Sequence, residues 1–295
     1  MTKADLSLGF VGLGALGLPM AINLDKAGFP LRVHTRSRKA ETNPELEGAT
    51  PCSSPAEAST GVDVLLLCVS DDAAVEEVLF GANGAASQLG IGSVVLDCST
   101  IAPATAQHCA ERLAGQKVHY MDAPVTGGTE GAKRGSLTVL VGGASEPLER
   151  VRPILEVIGG SIHHFGDVGR GQQVKAVNQV LVAGSYAAVA EAVALGQRLE
   201  LPMPQVIDAL KNGAAGSWAL DHRSITMLEG SYPLGFRLSL HRKDLGIALD
   251  AAKVVQLHLP VTTLVEQLEL DLINNGHGDE DVSALHRWNQ TRQRS

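Results

Sequence analysis

Short apolar runs alternate with helix-like stretches over the first half of the chain. The runs are "LSLGFVG", "FPLRVHTR", "VDVLLLCVS", "SVVLDCST", "VHYMDAPVT", "LTVLVGG" and "SIHHFG". Several are apolar at every position, the pattern of strands covered on both faces. Between them, "PMAINLDKAG", "DDAAVEEVLF" and "ATAQHCAERLAG" carry helical periodicity. This alternation predicts an α/β domain over residues 1–165, built on a doubly wound, mostly parallel sheet. After residue 166 the strand signals stop. Helices are expected over 172–199, 204–215, 218–229, 239–257, 261–275 and 281–292, punctuated by Pro204, Pro233 and Pro260. Residues 166–295 are therefore expected to form an all-α C-terminal domain that opens on a long interdomain helix.

That helix lies in "GRGQQVKAVNQVLVAGSYAAVAEAVALG" and is almost wholly Ala, Val, Leu and Gly. A helix apolar on all sides belongs in a core. It is expected to be wrapped by other helices, from this chain or from a second subunit. Lys175 in its first turn, with Asn178 and Gln179 one turn later, breaks the pattern. Residues three and four apart share a helix face, so the three can converge on one small ligand. The competing reading is a lysine whose stem packs on the core while its head reaches water.

Composition narrows the function classes. A net charge of −8 over 295 residues argues against a general nucleic-acid or membrane-surface binder. A small anionic ligand stays open. Cys52, Cys68, Cys98 and Cys109 show neither CxxC pairing nor histidines at zinc-ligand spacing. Free thiols, no metal site and a reducing cytoplasm are expected. No basic region followed by an apolar signal core opens the chain, and no apolar run is expected to approach a membrane span.

Two glycine motifs carry candidate chemistry. Gly12, Gly14 and Gly17 give G-x-G-x-x-G between the first strand and a helix. That arrangement suits a tight turn, close backbone approach to a pyrophosphate, and free N–H groups at a helix start. The whole turn, including Leu13, Ala15 and Leu16, is read as cofactor-binding. The next strand ends in Arg36 and Ser37, where an NAD site usually carries an acid. A guanidinium suits a 2′-phosphate, so NADP is expected over NAD; a solvated basic turn is the alternative. Ligands gather at the carboxyl ends of such strands. Val69 and Ser70 lie at one such end, Ser99 and Thr100 at another. In "DAPVTGGTEGAKRGSL", Thr126, Gly127 and Gly128 form a second loop of N–H groups with one hydroxyl. Such a loop can hold a carboxylate, and a plain glycine turn explains it as well.

Four ordered blocks, "GFVGLGALGLPMAINL", "DAPVTGGTEGAKRGSL", "GRGQQVKAVNQ" and "FRLSLHRKDLGIALDAA", resemble the β-hydroxyacid dehydrogenase family. That family includes 3-hydroxyisobutyrate dehydrogenase and tartronate semialdehyde reductase and is related to 6-phosphogluconate dehydrogenase. The resemblance covers nearly the whole chain. It implies a Rossmann-type domain joined to a helical one, an oligomer (homodimer or homotetramer), and a catalytic lysine matching Lys175. It also implies that Thr126, Gly127 and Gly128 bind the substrate carboxylate, with Asn178 and Gln179 nearby. Phe236 and Lys243 are implied to close over the nicotinamide side. Two departures stand out. Many members have serine where this chain has Thr126, and many carry Asn four residues after the lysine, where this chain has Gln179. Which amide meets the substrate is left open. By spacing alone, Lys243 and Asp244 are equally a surface charge pair.

The reaction implied is hydride transfer between a nicotinamide cofactor and a short 3-hydroxy acid or aldehyde acid. A positioned lysine then serves as general acid and, in reverse, as base. A dinucleotide-binding sensor or scaffold without chemistry is the reading from another class, and an imine reductase the one within the family. The presence of Lys175 and of both glycine loops speaks against each.

Overall fold

The computed structural model describes residues 6–291. The chain divides into two compact units, Met1–Lys175 and Ala176–Ser295.

The first unit is α/β. Strands β1 (Leu8–Val11), β2 (Leu31–His34), β3 (Thr50–Pro51), β4 (Val64–Leu67), β5 (Val94–Asp97) and β6 (His119–Asp122) form one sheet. All its pairings are parallel, in the order β3-β2-β1-β4-β5-β6. This is the Rossmann-type order, with the direction of winding reversing at β1. Helices α1 (Gly17–Lys26), α2 (Pro55–Ala58), α3 (Asp72–Phe80) and α4 (Pro103–Ala114) connect the strands. The apolar runs are apolar throughout because both sheet faces are covered. Leu8, Phe10, Leu66 and Leu96 fill one face, and Val11, Leu65, Leu67 and Val95 the other. Each such large side chain, fully buried, contributes about 1.5–3 kcal/mol.

Two features differ from the expected strands. The exposed dipeptide β3 carries Pro51, which an edge strand tolerates because it needs no inward donor. The run "VHYMDAPVT" splits at Ala123–Pro124 into β6 and β7 (Val125–Thr126). β7 pairs antiparallel with β8 (Leu137–Val141), and β8 pairs parallel with β9 (Gly159–His164), making a second, three-stranded sheet. Helices α5 (Gly128–Arg134) and α6 (Ser145–Ile158) lie between these strands in sequence.

The long helix α7 runs Arg170–Arg198, two residues earlier at its start than expected, and crosses the division between the units. Its first turn belongs to the α/β unit. Helices α8 (Met203–Leu210), α9 (Trp218–Leu228), α10 (Leu238–Val254), α11 (Pro260–Leu272) and α12 (His286–Thr291) make up the second unit. Pro204 and Pro260 sit in first turns, where a missing N–H costs nothing. α8 stops at Leu210, short of the expected 215, before the glycine-rich "NGAAGS". The segment expected over 281–292 is a 3₁₀ turn, Val282–Leu285, followed by α12, and its last residue lies outside the described residues.

On α7, Ala183, Tyr186, Ala190 and Val193 recur at helical spacing and join the core of the second unit. Within this chain the helix is wrapped in part, and Val177 and Leu181 are 63% and 70% exposed. By length and composition α7 is also apolar enough to cross a membrane, against the expectation that no run would be. Ala, Gly and Val raise its hydropathy while it packs as a core helix.

The four cysteines are free thiols; Cys52, Cys98 and Cys109 are buried and Cys68 is half-buried. Burial raises the pKa of all four, those of Cys68 and Cys109 to about 12.

Candidate active site

The glycine turn after β1 has the geometry its motif demands. Gly12 adopts φ +105°, and a Cβ there would run into the carbonyl of Cys68 on β4's extension. A Cβ on Gly17 would strike the Gly12 carbonyl and press on the Phe10 ring, so α1 leaves the strand at closest approach only with glycine. Around Gly14 a Cβ would meet nothing within 4 Å, the open side on which a pyrophosphate can approach the backbone. Leu13 is buried and Leu16 packs against the core, so these two anchor the turn through their side chains while Ala15 is exposed.

At the end of β2, Arg36 and Ser37 are exposed. Arg38 is not equivalent to Arg36. Its Nε donates to Glu41 Oε2 at 2.6 Å, and Glu41 also accepts the Thr35 N–H at 2.8 Å and faces His34 Nδ1 at 3.3 Å. The buried Glu41 thus ties up one arginine of the turn. The sequence shows only an Arg–Glu pair three apart, with no sign that the acid is buried.

The ends of β4 and β5 are laced together. Ser99 Oγ accepts the Val69 N–H at 2.9 Å, and Asp97 Oδ1 accepts the Ser99 N–H at 2.8 Å. Tyr120 donates its hydroxyl to Asp97 Oδ2 at 2.7 Å. Burial raises the Asp97 carboxyl to about 6. Ser70 is exposed and Thr100 half-buried at these strand ends.

Asp122, at the end of β6, fixes the start of α7. Its two oxygens accept the N–H groups of Gly169 at 2.7 Å and Gln172 at 2.8 Å. Gln172 in turn donates to Ser99 O and accepts from the Ile101 N–H. A carboxylate at a helix N-terminus satisfies orphan donors and complements the dipole. This clamp is why α7 begins at Arg170 and why Lys175 falls in its second turn. Lys175 is 7% exposed, and its Nζ donates to Val125 O at 2.9 Å. The next residues are Thr126, half-buried, then Gly127 and Gly128, whose φ of +128° and +64° favour glycine.

In the helical unit, Gln179 is 1% exposed and Asn178 half-buried. Gln179 Nε2 donates to Asp244 Oδ2 at 2.6 Å, and Asn178 Nδ2 donates to Gln179 Oε1 at 2.7 Å. Lys243 pairs with Asp244 Oδ1 at 2.9 Å, and Asp244 is buried, so this is not a plain surface pair. Phe236 stands edge-on to His241, which bonds Glu269 at 2.6 Å in a fully buried pair. Asp281 accepts the N–H groups of Gly235 and Phe236 and thereby holds the Phe236 loop. Asp122, Gln172, Glu41 and Asp281 had no assigned role in the sequence; each acts on partners far along the chain or on the backbone, which no local pattern reports.

Residues 7–166 match the family described as "NAD binding domain of 6-phosphogluconate dehydrogenase". Residues 169–289 match "NAD-binding of NADP-dependent 3-hydroxyisobutyrate dehydrogenase". The chain belongs to the β-hydroxyacid dehydrogenase family. As a β-hydroxyacid dehydrogenase it is an NAD(P)-dependent oxidoreductase. It is similar to 2-hydroxy-3-oxopropionate reductase of Escherichia coli (strain K12), 37% identical over 280 residues, 95% of this chain and 96% of that one. It is 36% identical over 282 residues to L-threonate dehydrogenase of Cupriavidus necator, covering 95% of this chain and 94% of the relative. The crystal structure of 3-hydroxyisobutyrate dehydrogenase from Salmonella typhimurium superposes with a TM-score of 0.89 at 32% identity, over 96% of this chain and 100% of that one.

Proposed function

We propose that the protein passes a hydride between NADP(H) and a short 3-hydroxy acid or the corresponding aldehyde acid, with Lys175 as general acid and base. One contact carries the reading: Lys175 Nζ rests on the carbonyl of Val125, directly before the Thr126–Gly127–Gly128 turn. Its ammonium therefore lies beside a loop whose N–H groups and hydroxyl suit a carboxylate.

The open backbone at Gly14 and the close approach at Gly17 fit a dinucleotide. When bound, that cofactor supplies the hydride chemistry. Lys175 Nζ gives a proton to the aldehyde oxygen as negative charge gathers there, and takes the hydroxyl proton in the reverse direction. Thr126, Gly127 and Gly128 hold the substrate carboxylate. Arg36 and Ser37 receive the 2′-phosphate, since Glu41 already engages Arg38. Val69, Ser70 and Thr100 border the cofactor, and Phe236 and Lys243 face its nicotinamide side. The exposed apolar stripe of Val177 and Leu181 supports a homodimer or homotetramer, and four free thiols fit a reducing cytoplasm.

The test is absorbance at the nicotinamide band. 2-Hydroxy-3-oxopropionate, succinic semialdehyde, glyoxylate and methylmalonate semialdehyde are assayed with NADPH and NADH, and 3-hydroxyisobutyrate and L-threonate with the oxidised cofactors. Turnover of at least one acid is expected, with NADPH preferred. Lys175→Ala is expected to lower it roughly 10²–10⁴-fold while NADPH binding survives. Near-normal turnover in that variant removes Lys175 from the chemistry.

A further inference from the structure

The helical unit holds a chain of polar side chains that ends on Asn178. Lys243 Nζ pairs with Asp244 Oδ1 at 2.9 Å; Asp244 Oδ2 accepts from Gln179 Nε2 at 2.6 Å; Gln179 Oε1 accepts from Asn178 Nδ2 at 2.7 Å. Gln179 comes from α7 and Asp244 from α10, so the chain joins two helices 65 residues apart in sequence. Asp244 and Gln179 are buried, and Asn178 is the half-buried end.

We propose that Asp244 is a positioning residue that fixes, through Gln179, which atom of Asn178 is presented to the hydroxy acid. An amide can normally turn over and exchange its oxygen for its nitrogen. A carboxylate cannot donate, so Gln179 must turn its NH₂ to Asp244. The Gln179 oxygen is then the atom that faces Asn178, at 2.7 Å, and Asn178 must donate to it in its turn. One buried charge sets the polarity of both amides. Gln179 has its oxygen and nitrogen both engaged in the chain and is a strut. Asn178 keeps Oδ1 as an acceptor, matched to a hydroxyl donor. With the chain reversed, that oxygen would be spent on Gln179, and N–H groups would face the ligand instead. A site built around one hydrogen-bonding polarity discriminates strongly against ligands that cannot match it.

The inference rests on the proposed function for what Asn178 meets, but not for the polarity itself. The experiment compares wild type, Asp244→Asn, and the double variant Asp244→Asn with Gln179→Glu. In the single variant both neighbours are amides, and either polarity is allowed. The double variant moves the carboxylate one link along, so Asn178 must donate again. Asp244→Asn is expected to lower kcat/KM for 2-hydroxy-3-oxopropionate about 10–100-fold, with KM for NADPH changed less than about 2-fold. The double variant should regain about 5-fold or more of that loss, which a merely structural Asp244 would not allow. A double variant no better than the single one overturns the proposal.

Gln179→Met cuts the chain without altering charge and stands in if Asp244→Asn does not fold; the same loss is expected of it, and unchanged kinetics overturn the proposal. A second readout needs no turnover: the side-chain amide of Asn178 in isotope-labelled protein, assigned by its loss in Asn178→Asp. One of its two protons should exchange slowly in wild type, quickly in Asp244→Asn, and slowly again in the double variant. If wild type reduces none of the aldehyde acids, the proposed reaction fails while this signal still decides the polarity. Identical Asn178 signals in wild type and Asp244→Asn overturn it.

Discussion

The α/β unit and the helical unit satisfy their buried carboxylates in different ways. In the first, Asp122, Asp97 and Glu41 each take at least one backbone N–H, from Gly169 and Gln172, from Ser99 and from Thr35, with the Tyr120 hydroxyl added at Asp97 and the Arg38 side chain at Glu41. In the second, Asp244 takes the Gln179 side chain and Glu269 takes the His241 ring. Asp281 is the exception there, holding the Gly235 and Phe236 N–H groups, and what it fixes is a loop. A carboxylate bonded to backbone fixes where a segment begins. A carboxylate bonded to side chains fixes which atom a neighbour presents. The α/β unit uses its acids to place the start of α7 and so Lys175; the helical unit uses one to orient Asn178.

This contrast is breakable, most strongly at the His241–Glu269 pair. Glu269→Leu alone leaves a buried imidazole without its partner and should cost about 3–5 kcal/mol in chemical denaturation. Adding His241→Phe should return most of that, because both members of a side-chain pair can be replaced together. Asp122→Ala should cost about 2–4 kcal/mol and slow turnover, since it orphans N–H groups of the α7 start. Here no second substitution can compensate, because the partners are backbone. Recovery by a designed second site at Asp122, or none at His241, would dissolve the distinction.

The third effect concerns pH. Burial raises Asp97 from 3.8 to about 6, so between those values the folded state binds more protons than the unfolded one. Stability from this group is fully present below about 4 and lost as pH rises through about 6, by roughly 1–3 kcal/mol. Burial raises Asp122 and Glu269 too, in the same sense. Denaturation at pH 4.5 and pH 7 should show Asp97→Asn with a shallower decline than wild type. An unchanged slope would remove Asp97 as a source. The smallest effect repeats the contrast at the surface, between an arginine held by a buried acid and one that is exposed. Arg36→Asp should lower the NADPH/NADH preference by about tenfold or more, and Arg38→Ala by much less. Equal changes would mean that Glu41 does not set Arg38 apart.

The sequence exposed whatever depends on local pattern. Runs such as "VDVLLLCVS" are legible because both faces of a parallel strand are covered. The turn at Gly12 and Gly17 is legible because the φ of +105° at Gly12 and the close backbone approach at both positions demand glycine. β3 left no trace, since two exposed residues carry no periodicity, and the second sheet was hidden because Pro124 breaks one apolar run into strands of different sheets. The long-range polar partners were equally silent. Asp122 stands in a quoted motif, yet its work is done 47 and 50 residues away. The partner of Gln179 is Asp244, 65 residues further along the chain. Hydrophobic pattern reports burial, while polar pairing depends on tertiary register.

The four thiols have a practical corollary. A thiol reacts through its thiolate; here burial keeps the proton on all four and blocks access to Cys52, Cys98 and Cys109. Cys68 and Cys98 follow β4 and β5, Cys109 lies on α4, and Cys52 follows β3, so all four report on the α/β unit alone. The rate of alkylation of the buried Cys52, Cys98 and Cys109 in native buffer is therefore a clock for the opening of that unit, separate from any loosening among the helices. Added dinucleotide should slow that clock in proportion to its occupancy.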